Sequence, residues 1–466
     1  MRTFKLSILI LLITMSQLTN AQNNKGALTP DILNRLKASY KASNYHKAVS
    51  HAVQNNDIKK LAYTQANKLK YDDHFTYKVT VKNITDQKQS GRCWMFTSLN
   101  TVRPIVIDKL NLDKFEFSSN YLYFYDQLEK ANLFLEAIIK TAEAPDDDRT
   151  VKWLYHNAIG DGGVWNLFVN LVEKYGIIPK EAMPETHASE NTSWLSRMLR
   201  NKLREDGYEL REMYRAEKDY KTMEARKIEQ LKDIYKMLVI ALGEPPTEFT
   251  WSYTDHEGKK SEEKKYTPKS FYDEMIGKNL DDYILFMDDP TRPYNKLYEI
   301  EYDRNVYEGR NWKFINLPAD ELKPMLIASL KNKEAMYFSC DVGKQLDRDN
   351  GVLSMQTYDF GSLFDVQFGM DKKARIITGQ SGSSHGMALV GVDLDENGKV
   401  KKWLLENSWG PTAGHNGYLI MTDPWFDNYM FRIVVDKAFI PEKYMKILKQ
   451  KPTMLPPWDP MFKNDN

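Results

Sequence analysis

The spacing of apolar residues predicts a buried helix that begins near residue 93. Its apolar positions recur three residues apart, as in one face of a helix, and they are Cys93, Phe96, Leu99 and Val102. Gly91 permits a tight turn before the helix. Pro104 is expected to end it, because proline has no N–H for a helix interior. The helix would therefore begin at a cysteine, where the positive end of the helix dipole favours a thiolate.

Other patterns predict both long helices and buried strands. Between residues 191 and 242, apolar residues recur at helical spacing within a stretch rich in Arg, Lys and Glu. Residues 249–253 alternate between apolar and polar, and a hairpin turn is predicted at 255–258. The continuous apolar runs 335–340 and 387–392 are typical of buried strands. The chain therefore combines a helical part with a strand-rich part.

Composition and length fit a large folded protein. The 466 residues are 42% hydrophobic and 12% aromatic, which is ample material for a large core. A prior of about 150 residues per domain suggests three domains, but one domain enlarged by insertions fits as well. The formal net charge is only +1, and the charged stretch Lys259–Lys265 mixes both signs, as a solvated hairpin tip does. We therefore expect no nucleic-acid partner.

The N-terminus predicts a secretory signal peptide over residues 1–21. A basic start that contains Arg2 and Lys5 precedes the nearly unbroken apolar run 6–15, and small residues precede a cleavage point before Gln22. An uncleaved anchor is the weaker alternative, because the apolar run is short for a bilayer. We expect an exported protein, periplasmic or extracellular, that has no membrane span after cleavage. Cleavage would change the net charge from +1 to −1.

Four residues, in the order Gln, Cys, His and Asn, indicate nucleophilic catalysis by a thiol. Cys93 can attack as a thiolate, His385 can supply the neighbouring cation, and the side-chain carbonyl of Asn407 can orient the imidazole. The amide of Gln87 can stabilise an oxyanion together with the backbone N–H of Cys93. Taken singly, the residues have structural alternatives: a core cysteine, a core histidine and a turn asparagine. Their order favours the catalytic interpretation.

The chain has only two cysteines, which matters in an oxidising compartment. If Cys93 is the nucleophile, it cannot form a structural disulfide with Cys340. The latter lies in a predicted strand and is expected to be an inert core thiol. The other histidines show no metal-binding spacing, and they are His46, His51, His74, His156, His187, His256 and His415. We therefore assign no metal and no cofactor, and we expect activity to require a reductant.

Several short runs of sequence together carry a resemblance to a known family. They are Gln87 to Phe96, Asp161 to Trp165, Val172 to Gly176, Cys340 to Lys344, Glu406 to Gly410 and Trp458 to Met461. With these runs the chain resembles the bleomycin hydrolase and bacterial aminopeptidase C branch of papain-like cysteine peptidases. In papain itself the histidine follows the cysteine by about 130 to 150 residues, whereas here the interval is 292 residues. The longer interval is what selects this branch.

The resemblance implies an α+β fold with a papain-like core. A helical half would bear Cys93, and a strand-rich half would bear His385 and Asn407. Residues 22–466 would form the peptidase domain, with a helical and hairpin insertion at about 190–315. By resemblance, such an insertion makes the contacts of a homohexamer.

Two further features concern substrate binding. Gly162 and Gly163 lack Cβ atoms, so an extended peptide could approach their backbone closely, and the resemblance implies that they line the cleft opposite His385. Trp409 is expected to pack over the contact between His385 and Asn407 and to exclude water.

The C-terminal tail, residues 452–466, is implied to run toward the active site. In relatives the terminal carboxylate, here that of Asn466, holds the free amine of the substrate. The last five residues, 462–466, differ from the small apolar ending of the family. They leave open whether the last residue is trimmed.

The resemblance therefore implies a cysteine aminopeptidase that removes N-terminal residues from peptides. The reaction would pass through an acyl-enzyme on Cys93, with His385 as base and acid. Two alternatives stay open: a cysteine endopeptidase with an open cleft, and a non-catalytic protein that binds peptides or supports assembly. Peptides with a blocked N-terminus distinguish the first alternative from an aminopeptidase, and turnover distinguishes the second.

Overall fold

The structure is a computed structural model that describes residues 26–65 and 71–462. The predicted signal peptide, residues 1–21, and the end of the tail, residues 463–466 with Asn466, lie outside the described residues. The helices are α1 Pro30–Ser39, α2 Asn44–Asn55, α3 Ile58–Ala62, α4 Cys93–Leu110, α5 Ser119–Lys140, α6 Arg149–His156, α7 Trp165–Tyr175, α8 His187–Glu190, α9 Ser193–Glu217, α10 Tyr220–Leu242, α11 Pro268–Met275, α12 Ala319–Lys331, α13 Phe360–Phe364, α14 Lys372–Ile377, α15 Asp423–Tyr429 and α16 Glu442–Met445. The strands are β1 Tyr77–Lys78, β2 Phe249–Trp251, β3 Lys264–Tyr266, β4 Tyr283–Met287, β5 Lys296–Ile300, β6 Lys313–Asn316, β7 Met336–Cys340, β8 Leu346–Asp347, β9 Val352–Leu353, β10 His385–Leu394, β11 Val400–Glu406, β12 Tyr418–Thr422, β13 Met430–Asp436 and β14 Thr453–Leu455.

The chain divides into two compact units. The smaller unit consists of residues 26–63 together with residues 359–366, and the other described residues form the larger unit. In the smaller unit a side-chain cap begins each of α1, α2 and α3. Tyr45 on α2 donates a hydrogen bond to the carbonyl of Ser362 on α13. All the candidate catalytic residues belong to the larger unit.

Helix α4 is buried along nearly its whole length. It begins at Cys93, as predicted, but it does not end at Pro104. The helix continues to Leu110, and Asn111 adopts the left-handed conformation after it. The expected end was wrong because packing around a buried helix stabilises it by more than the roughly 3 kcal/mol that an interior proline costs.

A mixed sheet forms the strand-rich half. Its strands lie in the order β14-β5-β6-β4-β13-β7-β10-β11-β12-β9-β8, and β1 pairs with β10. The neighbours are parallel at β14–β5, β4–β6 and β12–β9, and antiparallel at the other pairs. The predicted strands 335–340 and 387–392 correspond to β7 and β10. One apolar cluster fills the helical half, and a second lies among the strands, α12 and α15.

Strands β10 and β11 are neighbours inside the sheet, and they bring His385 and Asn407 to the same end of this strand pair. The two strands are antiparallel, with Ala388 opposite Glu406. His385 is the first residue of β10, and Asn407 directly follows β11, so the two side chains start from neighbouring positions. Helix α4 packs against β10 and β7. The fold therefore brings the three predicted catalytic positions together.

Residues 190–315 contain more than helices. The long helices predicted between 191 and 242 are α9 and α10, which pack against each other and against α5. Strands β2 and β3 form a hairpin, with Gly258 in its turn at a φ of 83°. The last part of the segment, from β4 to β6, joins the main sheet. Among the described helices, none is long and apolar enough to cross a membrane.

Candidate active site

Cys93 is fully buried at the first position of α4. The turn before it is held by Arg92, whose guanidinium donates to Ser119 Oγ at 2.8 Å and pairs with Glu185 at 2.9 Å. The N–H of Gly386 donates to Cys93 Sγ across 3.4 Å. The thiol therefore lies beside the start of β10. The helix N-terminus and the Gly386 N–H both favour a negative charge on its sulfur.

His385 and Asn407 form a hydrogen bond of 2.8 Å between Nε2 and Oδ1. The same Oδ1 accepts the backbone N–H of Ser408 at 2.8 Å, which fixes the orientation of the amide. Nε2 of His385 must therefore be the donor. A neutral imidazole that carries its proton on Nε2 has a lone pair on Nδ1, where a second proton can bind.

Burial lowers the pKa of His385 to about 4. The hydrogen bond to Asn407 opposes this shift, and the positive charge of Arg348 adds to it. The imidazole is therefore neutral at pH 7 unless a negative charge forms beside it. Proton transfer from the Cys93 thiol to His385 creates a thiolate and an imidazolium together. Each charge then offsets the free-energy cost of burying the other.

Gln87 is attached to the segment that carries Asn407. Its backbone N–H donates to the carbonyl of Ser408 at 2.8 Å, and its side-chain Oε1 accepts the Ser408 hydroxyl at 2.6 Å. Nε2 donates one of its two hydrogens to the carbonyl of Ser90 at 2.7 Å. Gly410 approaches so closely that a Cβ there would lie 2.9 Å from Asp86 Oδ2. The amide of Gln87 is thus held in one orientation beside the thiol-bearing turn.

Trp409 packs against the imidazole, as the sequence predicts. The ring centroids of Trp409 and His385 are 4.9 Å apart, with an angle of 31° between the planes. The indole is half-buried, and Arg348 places its guanidinium carbon 4.8 Å from the indole centroid. Arg348 is itself exposed. The indole therefore contacts both an exposed arginine and the buried imidazole.

Gly162 and Gly163 lie next to the thiol-bearing helix. A Cβ at Gly163 would lie only 2.6 Å from Cε2 of Trp94, so this glycine permits the close packing of the Trp94 ring. The carbonyl of Gly162 accepts a hydrogen bond of 2.7 Å from Lys130 Nζ. The neighbouring residue, Asp161, accepts the N–H of Gly91 at 3.3 Å through its carboxylate. These contacts tie the glycine loop to the turn before Cys93.

A cavity of 670 Å³ opens beside this loop. Gly91 and Gly162 lie in its wall, and so does Phe462, the last described residue of the tail. The charged residues that line it are Lys130, Arg197, Arg200, Arg304 and Asp161. Lys130 pairs with Asp126 at 2.7 Å, whereas the three arginines have no salt-bridge partner within the described ranges. The cavity wall is therefore cationic.

A buried ion pair lies directly beneath the site. Arg103 on α4 contacts the carboxylate of Glu406, the last residue of β11, and both side chains are almost inaccessible to solvent. Arg103 also donates to the carbonyl of Asn83 at 2.7 Å. Burial raises the pKa of Glu406 to about 7, while the charge of Arg103 opposes the shift. Because Asn407 follows Glu406, this pair connects α4, which bears Cys93, to the end of β11, which leads into Asn407.

Cys340 and Cys93 are both buried thiols, and neither forms a disulfide. Cys340 lies in β7, with its Cα opposite that of His385. Within residues 26–65 and 71–462, no group of three or more His, Cys, Asp or Glu side chains could hold a metal ion.

Sequence reasoning missed three side chains at the site. Ser408 lies inside the recognised run 406–410, and its hydroxyl could have been assigned as the partner of Gln87. Lys130 lies on α5 and reaches the glycine loop only through the fold. Arg348 is 61 residues before Trp409 in the sequence, and no local pattern connects the two.

Comparison with known proteins gives a consistent result. A family model described as the Peptidase C1-like family matches residues 27–462. Aminopeptidase C from Streptococcus thermophilus is 38% identical over 437 residues, which cover 93% of this chain and 98% of that protein. Bleomycin hydrolase from Homo sapiens is 41% identical over 390 residues, or 82% of this chain and 86% of that protein.

A solved structure agrees with these relatives in fold. The crystal structure of PepW from Lactobacillus rhamnosis HN001 superposes with a TM-score of 0.91 at 38% identity. The superposition covers 94% of this chain and 99% of that one.

The ion pair beneath the site gives a prediction for stability. Glu406→Gln leaves the Arg103 charge buried without its counter-charge, so we expect a loss of roughly 3–5 kcal/mol in the free energy of unfolding. The measurement is urea unfolding at pH 8, above the pKa of about 7, where Glu406 is ionised.

Two controls belong to this measurement. The double variant Arg103→Met, Glu406→Leu removes both charges and should be more stable than Glu406→Gln alone. Lys236→Gln, which breaks the exposed pair with Asp233 on α10, should have little effect. A Glu406→Gln protein as stable as the unsubstituted one would contradict the prediction.

Proposed function

The chain belongs to the Peptidase C1-like family and is a cysteine aminopeptidase, and we propose that it works through a thioester on Cys93. One observation carries this proposal: the 2.8 Å hydrogen bond between His385 and Asn407 beside a thiol that accepts the Gly386 N–H. The bond leaves Nδ1 of the imidazole as the proton acceptor. The papain-like α+β fold supports the same assignment.

The proposed reaction begins with proton transfer from the thiol of Cys93 to His385. The thiolate attacks the carbonyl of the first peptide bond, and the carbonyl oxygen becomes an oxyanion. The N–H of Cys93 and the second hydrogen of Gln87 Nε2 stabilise this charge. His385 then gives its proton to the leaving amine, and the C–N bond breaks.

Hydrolysis completes the cycle. A water molecule gives a proton to His385 and attacks the thioester carbonyl, and the same oxyanion donors act again. The thiolate leaves, and the free amino acid departs. Asn407 acts as a positioning residue throughout, because its carbonyl holds the imidazole plane and the Nε2 proton.

The charge of the cavity supports a role for the tail in recognition of the substrate amine. The cations of the wall outnumber its one carboxylate, that of Asp161, so an ammonium group would be repelled on balance, and a further anion would favour its binding. Phe462 lines the cavity, and the sequence continues with residues 463–466, which include Asp465. Four residues span at most about 13 Å. We propose that this segment supplies the carboxylate that holds the amine.

Gly162 and Trp409 are the proposed substrate contacts on the two sides of the thiol. Gly162 lines the cavity, and Trp409 flanks the imidazole that protonates the leaving group. Gly163 has a supporting role, because its missing Cβ serves the packing of Trp94. The contribution of Asn466 is part of the tail proposal.

We further propose that the protein is exported after cleavage of residues 1–21. The leader has a basic start, an apolar run and small residues before Gln22. The family match begins at residue 27, so the leader precedes the part of the chain that relatives share.

We also propose a homohexamer, by resemblance, with the insertion helices at its contacts. Large apolar side chains are exposed on α9 and α10, which is typical of surfaces that bind another chain. Trp194 on α9 is 67% exposed, and Ile240 on α10 is 80% exposed.

The catalytic assignment predicts a difference between the two cysteines. Cys93→Ala should reduce kcat for an unblocked peptide by at least about 10³-fold, whereas Cys340→Ala should retain activity. Gln87→Ala should lower kcat by about 10²-fold with little change in KM, because its hydrogen bond forms in the transition state. Steady-state hydrolysis by the reduced protein measures these effects. An active Cys93→Ala variant would rule out the thioester.

The tail proposal predicts a change of specificity. Removal of residues 463–466 should let the enzyme cleave acetylated peptides. The ratio of kcat/KM for free over acetylated peptide should fall by about 10- to 100-fold, the value of a charge-assisted hydrogen bond. Lys463→Gln is the matched control and should keep the ratio, whereas Asp465→Asn should lower it. Unchanged rejection of acetylated peptides after the deletion would contradict the proposal.

The export and assembly proposals are tested on one preparation of the mature protein. Expression in a bacterium with a periplasm should give a periplasmic protein that begins at Gln22 by mass spectrometry. Sedimentation should show a hexamer, and the variant with Trp194→Asp and Ile240→Asp should dissociate. A full-length cytoplasmic protein would contradict export, and a monomer of the unsubstituted protein would contradict the hexamer.

A further inference from the structure

Arg348 is an exposed cation that packs against Trp409, whose indole also contacts the catalytic imidazole. It lies between the short strands β8 and β9. Its guanidinium carbon lies 4.8 Å from the indole centroid of Trp409, and the imidazole centroid of His385 lies 4.9 Å from the same indole. No part of the proposed reaction uses this charge.

The direction of the reaction indicates which half of the peptide lies next to Arg348. In the proposed function, the substrate amine occupies the cavity side, next to Gly91 and Gly162. The rest of the peptide must leave on the other side, because His385 protonates the nitrogen of the leaving half. Trp409 flanks His385 there. The second residue of a peptide therefore passes over the indole that carries Arg348.

The guanidinium of Arg348 is available for a ligand. No carboxylate of the described residues forms a salt bridge with it. The neighbouring Asp347 accepts hydrogen bonds from Asn350 at 3.2 and 2.8 Å. An arginine that packs on an aromatic ring is already partly ordered, so it loses less freedom when it binds a carboxylate.

We infer that Arg348 binds a carboxylate of the leaving half of the peptide and so determines which peptides are preferred. This inference rests on the proposed function. Two sources have the required chemistry: the C-terminal carboxylate of a dipeptide, and an acidic side chain at the second residue. The fork of N–H donors on a guanidinium fits either one.

A bound carboxylate would also affect the catalytic imidazole. The charge of Arg348 is one of the causes that lower the pKa of His385. A substrate carboxylate beside Arg348 cancels part of that charge, so the imidazole accepts the thiol proton more readily. The preference is therefore expected in kcat as well as in KM.

The test compares substrates that differ only in one carboxylate. Release of the N-terminal alanine is measured for Ala-Ala and for Ala-Ala amide, and separately for Ala-Asp-Ala amide and Ala-Asn-Ala amide. The unsubstituted enzyme should favour the carboxylate form by at least about fivefold in kcat/KM in one of the two comparisons. A preference in the first comparison identifies the C-terminal carboxylate of a dipeptide as the ligand. A preference in the second identifies an acidic side chain at the second residue.

Variants connect the preference to Arg348. In Arg348→Gln the ratio of kcat/KM for the carboxylate peptide over the matching amide peptide should fall to about one. In Arg348→Glu the ratio should fall below one. Lys344→Gln removes a cation four residues earlier in the same segment and should keep the ratio of the unsubstituted enzyme. Added salt should lower the ratio of the unsubstituted enzyme, because an exposed ion pair is screened. This last measurement needs no variant.

The outcomes separate this inference from the proposed function. Equal hydrolysis of acid and amide forms, or a ratio that survives Arg348→Gln, overturns the role of Arg348 and leaves the aminopeptidase mechanism standing. Failure of the unsubstituted enzyme to release alanine from any of the four peptides overturns both.

Discussion

The site depends on how closely helix α4 lies against strand β10. A Cβ at Gly386 would lie 3.2 Å from Thr97 Oγ1 and 3.4 Å from the Cα of Trp94, so a side chain at 386 would require its neighbours on α4 to shift by a few tenths of an ångström. The Gly386 N–H that reaches Cys93 Sγ depends on the same approach. Hydrogen-bonded geometry at a reacting atom tolerates only a fraction of an ångström. The missing side chain at 386 therefore favours the close approach of thiol and imidazole.

Burial affects the reaction between Cys93 and His385 as much as the distance between the two side chains does. A buried imidazole resists protonation, as the low pKa of His385 indicates, and a buried thiolate is equally costly without a partner. Formation of both charges in one proton transfer avoids either cost alone. Asn407 suits this arrangement, because a neutral amide orients the imidazole without a further charge. The buried charge that the fold does carry nearby, on Glu406, is compensated by Arg103.

The sequence predicted the site better than it predicted the packing around it. The order of Gln87, Cys93, His385 and Asn407 identified four positions that the fold brings together, and three of them lie where an element begins or ends. Pro104 misled the prediction of where α4 ends, since propensity is local and burial is not. The approach of Gly163 to Trp94 and the packing of Arg348 on Trp409 join residues that are far apart in sequence. No pattern within one segment could reveal them.

The two sides of the thiol differ in where their charges come from. On the cavity side, the arginines and the one carboxylate, that of Asp161, belong to the folded body, and in the proposed function the segment after Phe462 supplies a further anion for the ammonium. On the Trp409 side, the cation is fixed in the fold beside the imidazole. Under the proposed function, a change in the tail segment alters where a peptide is cut while the thiol chemistry persists. A change at Arg348 acts on both preference and rate, because the same charge reaches His385.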